Sequence, residues 1–507
     1  LNPTFFQDHL KFNINGKFMY AHSRYANTDA IGSAVRMDPT QSVIDWSNHK
    51  LCNFHHYFTW TDSGATLGNP DYPYLQNSNA VRNPVAQLYE KNDRANSYDY
   101  MGNIEADYQV HGFEDLRLHM NFSGDWSNGK QNTDYADWGQ TNFYYGNTGF
   151  SKENKYNLVY SAYLQYYKDF CETQHFDIMA GYEWQHFKNW GNTDGSGFYQ
   201  STYSKDASLA GKPYNAYTTK WASENYLVSF FGRMNWTGWN QVMLTATVRG
   251  DGSSRFAYRN AQGQNKQWGV FPSVALGWKI KETFFKDNNE LSEWKLRLGY
   301  GITGQQDIGQ GDYPALLLYT KSQEHASYSL GEIENGKYVY YESYRPAAYN
   351  QDLTWERTTT YNAGMDFGFL NNRINFSLDY YYRLTKDLIA VVDVAAGMNF
   401  SNQVVSNIGS LSNQGAELMF NAVAIDRKNF KWDLGLNATY NVNKILSLTT
   451  GSDQNYYVET GGISSGTGNT IQRHQEGYAA NTFWVYETYK TENGYYEIVN
   501  QNGDKDA

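Results

Sequence analysis

A few groups of residues have types and spacings that could carry chemistry. Gly299, Gly301 and Gly304 stand as G-x-G-x-x-G, which brings a backbone close to a dinucleotide pyrophosphate when a parallel strand precedes it and a helix follows. Here an amphipathic stretch precedes it and a polar stretch follows, so a strand running out into a loop is the better reading. Gly462-Ile463-Ser464-Ser465-Gly466 matches the G-x-S-x-G of a nucleophile elbow. It lies among Gly, Ser and Thr without the strand–turn–helix context, and low complexity explains it better. His55-His56 has no carboxylate or cysteine at ligand spacing beside it, so no metal site is expected. Cys52 and Cys171 show no CxxC pattern, and Cys171 reads as a lone thiol in a short connection. Arg249, Asp251 and Arg255 could touch a substrate, but a structural charge cluster at a strand end weighs more. The remaining chemistry is diffuse. Sugars present apolar C–H faces and hydroxyl edges, which aromatic rings flanked by Asn, Asp and Gln accommodate. Trp60, Tyr72, Tyr74, Trp138, Tyr144, Tyr145, Trp190, Tyr199 and Tyr340 are the candidate platforms, with a minority expected to meet ligand and the rest to pack loops together. No catalytic set assembles and no cofactor is expected.

The elements that must position these rings are strands. About fourteen runs alternate with period two. In one, Trp432, Leu434, Leu436, Ala438 and Tyr440 alternate with Asp433, Gly435, Asn437, Thr439 and Asn441. Trp294, Leu296, Leu298 and Tyr300 alternate with Lys295, Arg297 and Gly299, and similar runs cover 157–166 and 374–382. Others lie near 10–22, 96–110, 114–126, 174–188, 224–238, 241–251, 268–281, 356–369, 412–424 and 482–490. Many are about twice the ~5–6 residues of a sandwich strand. Trp432 and Tyr440 bracket an aliphatic centre: eight residues at ~3.3 Å, tilted ~40°, rise about 20 Å, close to the ~25 Å band between the aromatic girdles of a membrane barrel.

Short turns alternate with long loops. The short ones are Val110–Glu114, Lys168–Gln174, Trp236–Gln241, Leu370–Arg373 and Ala424–Phe430; Lys281–Glu293 is slightly longer, with room for a helical turn. The long ones cover about 23–95, 127–153, 189–223, 252–267, 302–355, 386–411 and 443–481. Sending every long loop to one end is the habit of an up-and-down membrane barrel. Composition agrees. Aromatics reach 17% while charged residues fall to 18%, and mean hydropathy is −0.71, as expected of strands apolar on one face only. No stretch approaches the ~18 apolar residues of a membrane helix. A net charge of −11 argues against nucleic acid, which needs a basic stripe.

Six ordered segments resemble the SusC/RagA-like TonB-dependent transporters. They are Arg249-Gly250-Asp251-Gly252-Ser253-Ser254-Arg255-Phe256; Gly269 to Trp278, containing Pro272; Leu296 to Gly309; Leu353 to Gly364; Tyr380 to Leu388; and Asn407 to Leu418. Within them Arg249, Asp251, Ser254, Arg255, Phe256 and Pro272 are the structural family motif. The resemblance implies an all-β, antiparallel up-and-down transmembrane β-barrel in the outer membrane of a Gram-negative bacterium. About fourteen of twenty-two strands are expected in residues 1–507, with long extracellular loops and short periplasmic turns. The resemblance also implies an N-terminal plug and a TonB-contacting segment, expected outside these residues, as are the other strands, since fourteen strands alone leave unpaired edges that lipid does not tolerate. It further implies active nutrient import, oligosaccharides first and oligopeptides second. The expected partners are a SusD-like surface lipoprotein as lid, TonB, and outer-membrane lipid, in a dimer of transporter–lipoprotein pairs. A passive porin and a secreted glycan-binding β-protein are the rival readings.

Overall fold

A computed structural model describes residues 1–46, 56–60, 77, 79–136, 146–198, 213–307, 309, 311–321, 327–393, 403–448, 456–463 and 469–499. Its main feature is an antiparallel fourteen-stranded sheet in which every strand neighbours the next in sequence. The strands are β1 (Thr4–Phe5), β2 (Leu10–Tyr25), β3 (Lys91–Gln109), β4 (Leu116–Tyr135), β5 (Asn147–Cys171), β6 (Gln174–Phe198), β7 (Pro213–Gly238), β8 (Val242–Ser253), β9 (Trp268–Lys279), β10 (Leu291–Gln305), β11 (Glu356–Phe369), β12 (Ile374–Lys386), β13 (Ser410–Arg427) and β14 (Phe430–Ser447). Among the described residues three short helices accompany them: α1 (Asp29–Arg36), α2 (Pro84–Glu90) and α3 (Ile280–Phe284), the last in the expected helical turn before β10. No described helix is long and apolar enough to cross a membrane.

The alternating runs are strands, with two corrections. The run near 482–490 does not join the main sheet; Thr482–Phe483 and Thr488–Lys490 belong to small separate sheets. The fourteenth place is taken by two-residue β1, too short to show a period. The strands also outrun the apolar alternation. β6 and β7 continue to Phe198 and back from Pro213, where the sequence reads as loop, because polar residues on both faces are compatible with pairing once a strand stands clear of hydrocarbon. Turn chemistry marks the short ends: Trp239 and Asn240 (φ 55° each) turn β7 into β8, and Leu370, Asn371 and Asn372 (φ 53–60°) turn β11 into β12.

Two compact units divide the chain. One comprises Leu1–Asp107, Met120–Ser161 and Gln185–Asn225; the other Tyr108–His119, Ala162–Trp184 and Tyr226–Ala507. In the second, register aligns apolar rows across β10, β11, β12 and β13. Trp294 faces Phe367, which faces Phe376 and then Phe420; Leu296 faces Met365, Leu378 and Leu418; Tyr300 faces Tyr361 and Tyr382. Rings pack along the outer rows, Trp294 5.5 Å from Phe367 and Tyr300 5.3 Å from Tyr361. Two aromatic girdles therefore bound an aliphatic band whose residues, such as Leu298 and Leu378, remain exposed, as a lipid-facing surface requires.

The opposite face is polar. Arg297 on β10 reaches across β11, donating Nε to Asp366 (2.8 Å), Nη1 to Asp379 (2.7 Å) and Nη2 to Ser377 (2.9 Å). It crosses directly over Gly364, where a Cβ would stand 2.8 Å from its Cζ.

Candidate functional site

In the first unit the polar face builds a pocket of about 490 Å³ toward the long-loop ends of β4 to β7. Gln131, Thr133 and Tyr135 line it from β4, Gly149 and Ser151 from β5, Thr193 from β6 and Tyr217 from β7. Period two puts Gln131, Thr133 and Tyr135 on one face of their strand. Gln131 is held by Asp93, which accepts its Nε2 at 2.7 Å and pairs with Lys91 at 2.8 Å. Asp93 is 2% exposed, so its charge is compensated inside the wall. Ser151 and Thr193 share a hydroxyl hydrogen bond of 3.1 Å, and Thr218 donates to Asp194 at 2.6 Å. Gly195 leaves room for the half-exposed Tyr217 ring: a Cβ there would stand 2.6 Å from the phenol oxygen. The pocket thus offers a ring platform beside amide and hydroxyl groups, while the Thr218–Asp194 pair stands on the other face of the strands.

The motif residues occupy the second unit. Arg249 donates to Asp251 and Glu183 (2.7 Å each) and to Ser229 (2.7 Å), tying β6, β7 and β8 together on the polar face. Ser254 accepts the Tyr226 amide at 2.9 Å. Arg255, its side chain 11% exposed, pairs with Asp312 (2.8 Å) and Asp307 (3.0 Å) in the segment after β10. The Gly309 amide, and then Arg255, hold the Asp307 carboxyl below its ordinary range. Phe256 is buried with Leu353 and Trp355 in a small core that Phe271 also packs against. The Trp355 indole donates to the Gln267 carbonyl at 2.8 Å, and Asn407 donates to the Thr354 carbonyl at 2.8 Å. Pro272 pairs with Val248 on β8 just beyond the last β9–β10 pair, Ser273 with Gly301, where a ladder N–H is dispensable. Segments far apart in sequence thus form one clasp at the long-loop end of β8 to β13.

Three of the nine ring candidates, Trp60, Trp190 and Tyr340, lie among the described residues. Tyr72, Tyr74, Trp138, Tyr144, Tyr145 and Tyr199 lie outside the described residues. Trp60 packs edge-on against Phe58 at 5.0 Å. Trp190 stands in β6 rather than a loop, beside Tyr156 at 5.7 Å on the apolar face. Tyr340 is exposed on a hairpin, Ser327–Glu334 with Lys337–Glu342, where Glu332 accepts from Tyr341 and pushes that phenol's pKa up. Tyr135 and Tyr217 are not among the ring candidates; both fall in stretches that read as loops, and only the extended strand ends bring them to one pocket. Gly299–Gly304 lies within β10, antiparallel to both neighbours, which removes the dinucleotide reading. Ser464 to Gly466 and His55 lie outside the described residues; His56 packs against Trp46 at 4.5 Å. Among the described residues no three His, Cys, Asp or Glu side chains gather as a metal site.

The family model described as TonB dependent receptor-like, beta-barrel matches residues 53–504. The chain is 47% identical to TonB-dependent receptor SusC of Bacteroides thetaiotaomicron over 500 residues, 97% of this chain and 48% of that protein. It is 28% identical to TonB-dependent receptor P3 of Formosa agariphila over 431 residues, 83% and 40% of the two. The chain thus spans less than half the length of either. Its fold is similar to that of the RagAB peptide transporter, with a TM-score of 0.69 and 21% identity over 96% of this chain and 49% of that one. The RagAB importer in its closed-closed state gives 0.71 and 20%, over 98% and 51%.

Proposed function

This chain belongs to the TonB dependent receptor-like, beta-barrel family and is an outer-membrane protein, and on that premise we propose that it supplies wall and extracellular loops to an active importer of oligosaccharides. The observation carrying the glycan reading is the polar-face pocket, where the Tyr217 ring lies beside Gln131, Thr133, Ser151 and Thr193. A pyranose can stack its C–H face on such a ring while its hydroxyls exchange hydrogen bonds with the amide and hydroxyl groups. Residues 1–507 form a barrel portion, working with a plug, a SusD-like lipoprotein lid and TonB in the complete protein, as a dimer of transporter–lipoprotein pairs. The loop rings Trp60, Tyr72, Tyr74, Trp138, Tyr144, Tyr145, Tyr199 and Tyr340 are proposed as further ligand-contacting residues. Trp190, on the apolar face, is assigned to the membrane girdle instead.

The test is calorimetry of the complete transporter with its lipoprotein against panels of glycans and peptides. Glycan binding that weakens about tenfold in Tyr217→Ala, ~1.4 kcal/mol, is expected. Binding of peptides and of no glycan overturns the cargo assignment. Uptake that proceeds without TonB refutes active import.

A further inference from the structure

The apolar face of the first unit is not smooth. A groove of about 780 Å³ runs across it, walled by Tyr100, Ile104, Phe122, Trp126, Tyr156 and Trp190. Its volume falls within the ~300–1,000 Å³ of ligand pockets. The depression exists because Gly102 and Gly124 stand where the alternation calls for large side chains: Tyr100, Gly102 and Ile104 share one face of β3, and Phe122, Gly124 and Trp126 one face of β4. Tyr100, Ile104, Phe122 and Trp126 are exposed, as they would be when facing acyl chains.

The same face changes character toward the long-loop end. Beyond Trp126 come Asn128 and Lys130; beyond Tyr156 come Asn154 and Lys152. Asn128 and Asn154 are hydrogen-bonded to each other. Above them the two lysines flank one ring, with Lys130 Nζ 5.0 Å and Lys152 Nζ 5.5 Å from the Phe150 centroid. Four residues separate Trp126 from Lys130, ~13 Å along the strand and about 10 Å along the membrane normal after a ~40° tilt. That lifts the ammonium groups from the girdle to the headgroup layer. Neither lysine has an ion-pair partner among the described residues, whereas Glu224 on the same unit is engaged by His186 and Lys188 (2.7 and 3.5 Å) and Asp134 accepts from Thr148 at 2.5 Å. Two cations with no carboxylate partner, over an apolar groove, complement an anionic headgroup carrying a hydrocarbon tail.

We propose that this face holds one phosphate-bearing lipid of the surrounding leaflet, an acyl chain in the Gly102–Gly124 groove and its phosphate between Lys130 and Lys152. The site uses none of the polar-face residues named for the glycan reading, although Phe150 borders both, so it stands whether or not the cargo is a glycan.

The test is native mass spectrometry of the complete transporter, extracted from outer membrane in mild detergent and, in parallel, reconstituted in phosphatidylglycerol nanodiscs. Wild type should retain a phosphate-bearing lipid, and Lys130→Gln/Lys152→Gln should lower its occupancy at least tenfold. Gly124→Leu should displace the chain; its added Cβ meets only the Leu158 tip, 3.3 Å away. Heat-modifiable migration on gels verifies that each variant is folded. Unchanged occupancy in the folded double variant, or no phosphate-bearing adduct on wild type in either preparation, overturns the proposal.

Discussion

Replacing Phe256 with Ala should open the clasp without loosening the wall. Phe256 is 2% exposed, with its ring 5.4 Å from that of Trp355 and Leu353 fully buried beside it. A buried Phe removes roughly 150–250 Å² from water, about 4–6 kcal/mol at ~25 cal/mol/Å² as an upper bound. Measured Phe→Ala losses in cores run ~3–5 kcal/mol. An opening free energy about 3–4 kcal/mol smaller is therefore expected for the clasp, whose buried apolar side chains are so few that none compensates. Native-state hydrogen exchange of the complete protein in micelles reads this directly. The amides of Ser253 and Lys266, bonded to Gln267 and Ala257 (3.1 Å each), should exchange roughly 100- to 1,000-fold faster, at 1.4 kcal/mol per decade. Amides in the β11–β12 ladder should keep their rates, since their pairing involves none of these side chains. Equal acceleration in the ladder would refute a clasp that opens on its own. Unchanged exchange at Ser253 and Lys266 would refute Phe256 as its centre.

Two further outcomes follow from single groups. Gly364→Ala should destabilise by about 1–3 kcal/mol, measured by urea unfolding from vesicles, because the new methyl meets the Asp379 carboxylate and lies 2.8 Å from Arg297 Cζ; a gain, as reduced chain entropy alone would give, contradicts a guanidinium that needs the space over Gly364. Asp307 titrates below its ordinary value of about 3.9 because the Gly309 amide and Arg255 favour its ionised form, so its contribution is complete above that value and is lost as pH falls through the lower, folded one. Pepsin cleavage around 307–312 should rise as pH drops below ~4, and a profile unchanged by Asp307→Asn would sink the assignment.

The wall was legible because its signal is repeated. Leu296, Leu298 and their counterparts alternate over enough residues for period two to emerge, and Trp294 and Tyr300 mark where lipid ends. Strand ends were not legible. Beyond the girdles both faces meet water, so residues such as Asn192 and Thr218 carry no alternation, and the pairing that extends β6 and β7 is decided by neighbouring backbone rather than side-chain pattern. That is why the sequence hides Tyr135 and Tyr217 and shows Trp190 as part of a loop. The motif segments were visible as residues but not as a clasp, because Arg255 with Asp312 and Phe256 with Leu353 are pairings over long sequence distances. The small sheets near the end of the described chain differ for the opposite reason: the Thr482–Lys490 stretch alternates, but too briefly to fix a partner.

The notch at Gly364 bears on how the wall finds its alignment. β10 and β11 are joined by the long connection 306–355, so no tight turn dictates their pairing. A slip of one residue is self-correcting, since it turns every apolar side chain to the wrong face. A slip of two is not: apolar residues would still face lipid and every backbone bond could still form. In the native alignment Arg297 lies opposite Gly364. Two residues either way it would lie opposite Asn362 or Asp366, whose side chains would fill the channel the guanidinium needs to reach Asp379 on the third strand. A single missing side chain thus distinguishes the correct pairing from a decoy that hydrophobicity cannot tell apart. Its expected signature is kinetic: a Gly364 variant should accumulate mispaired, slowly rearranging species during insertion.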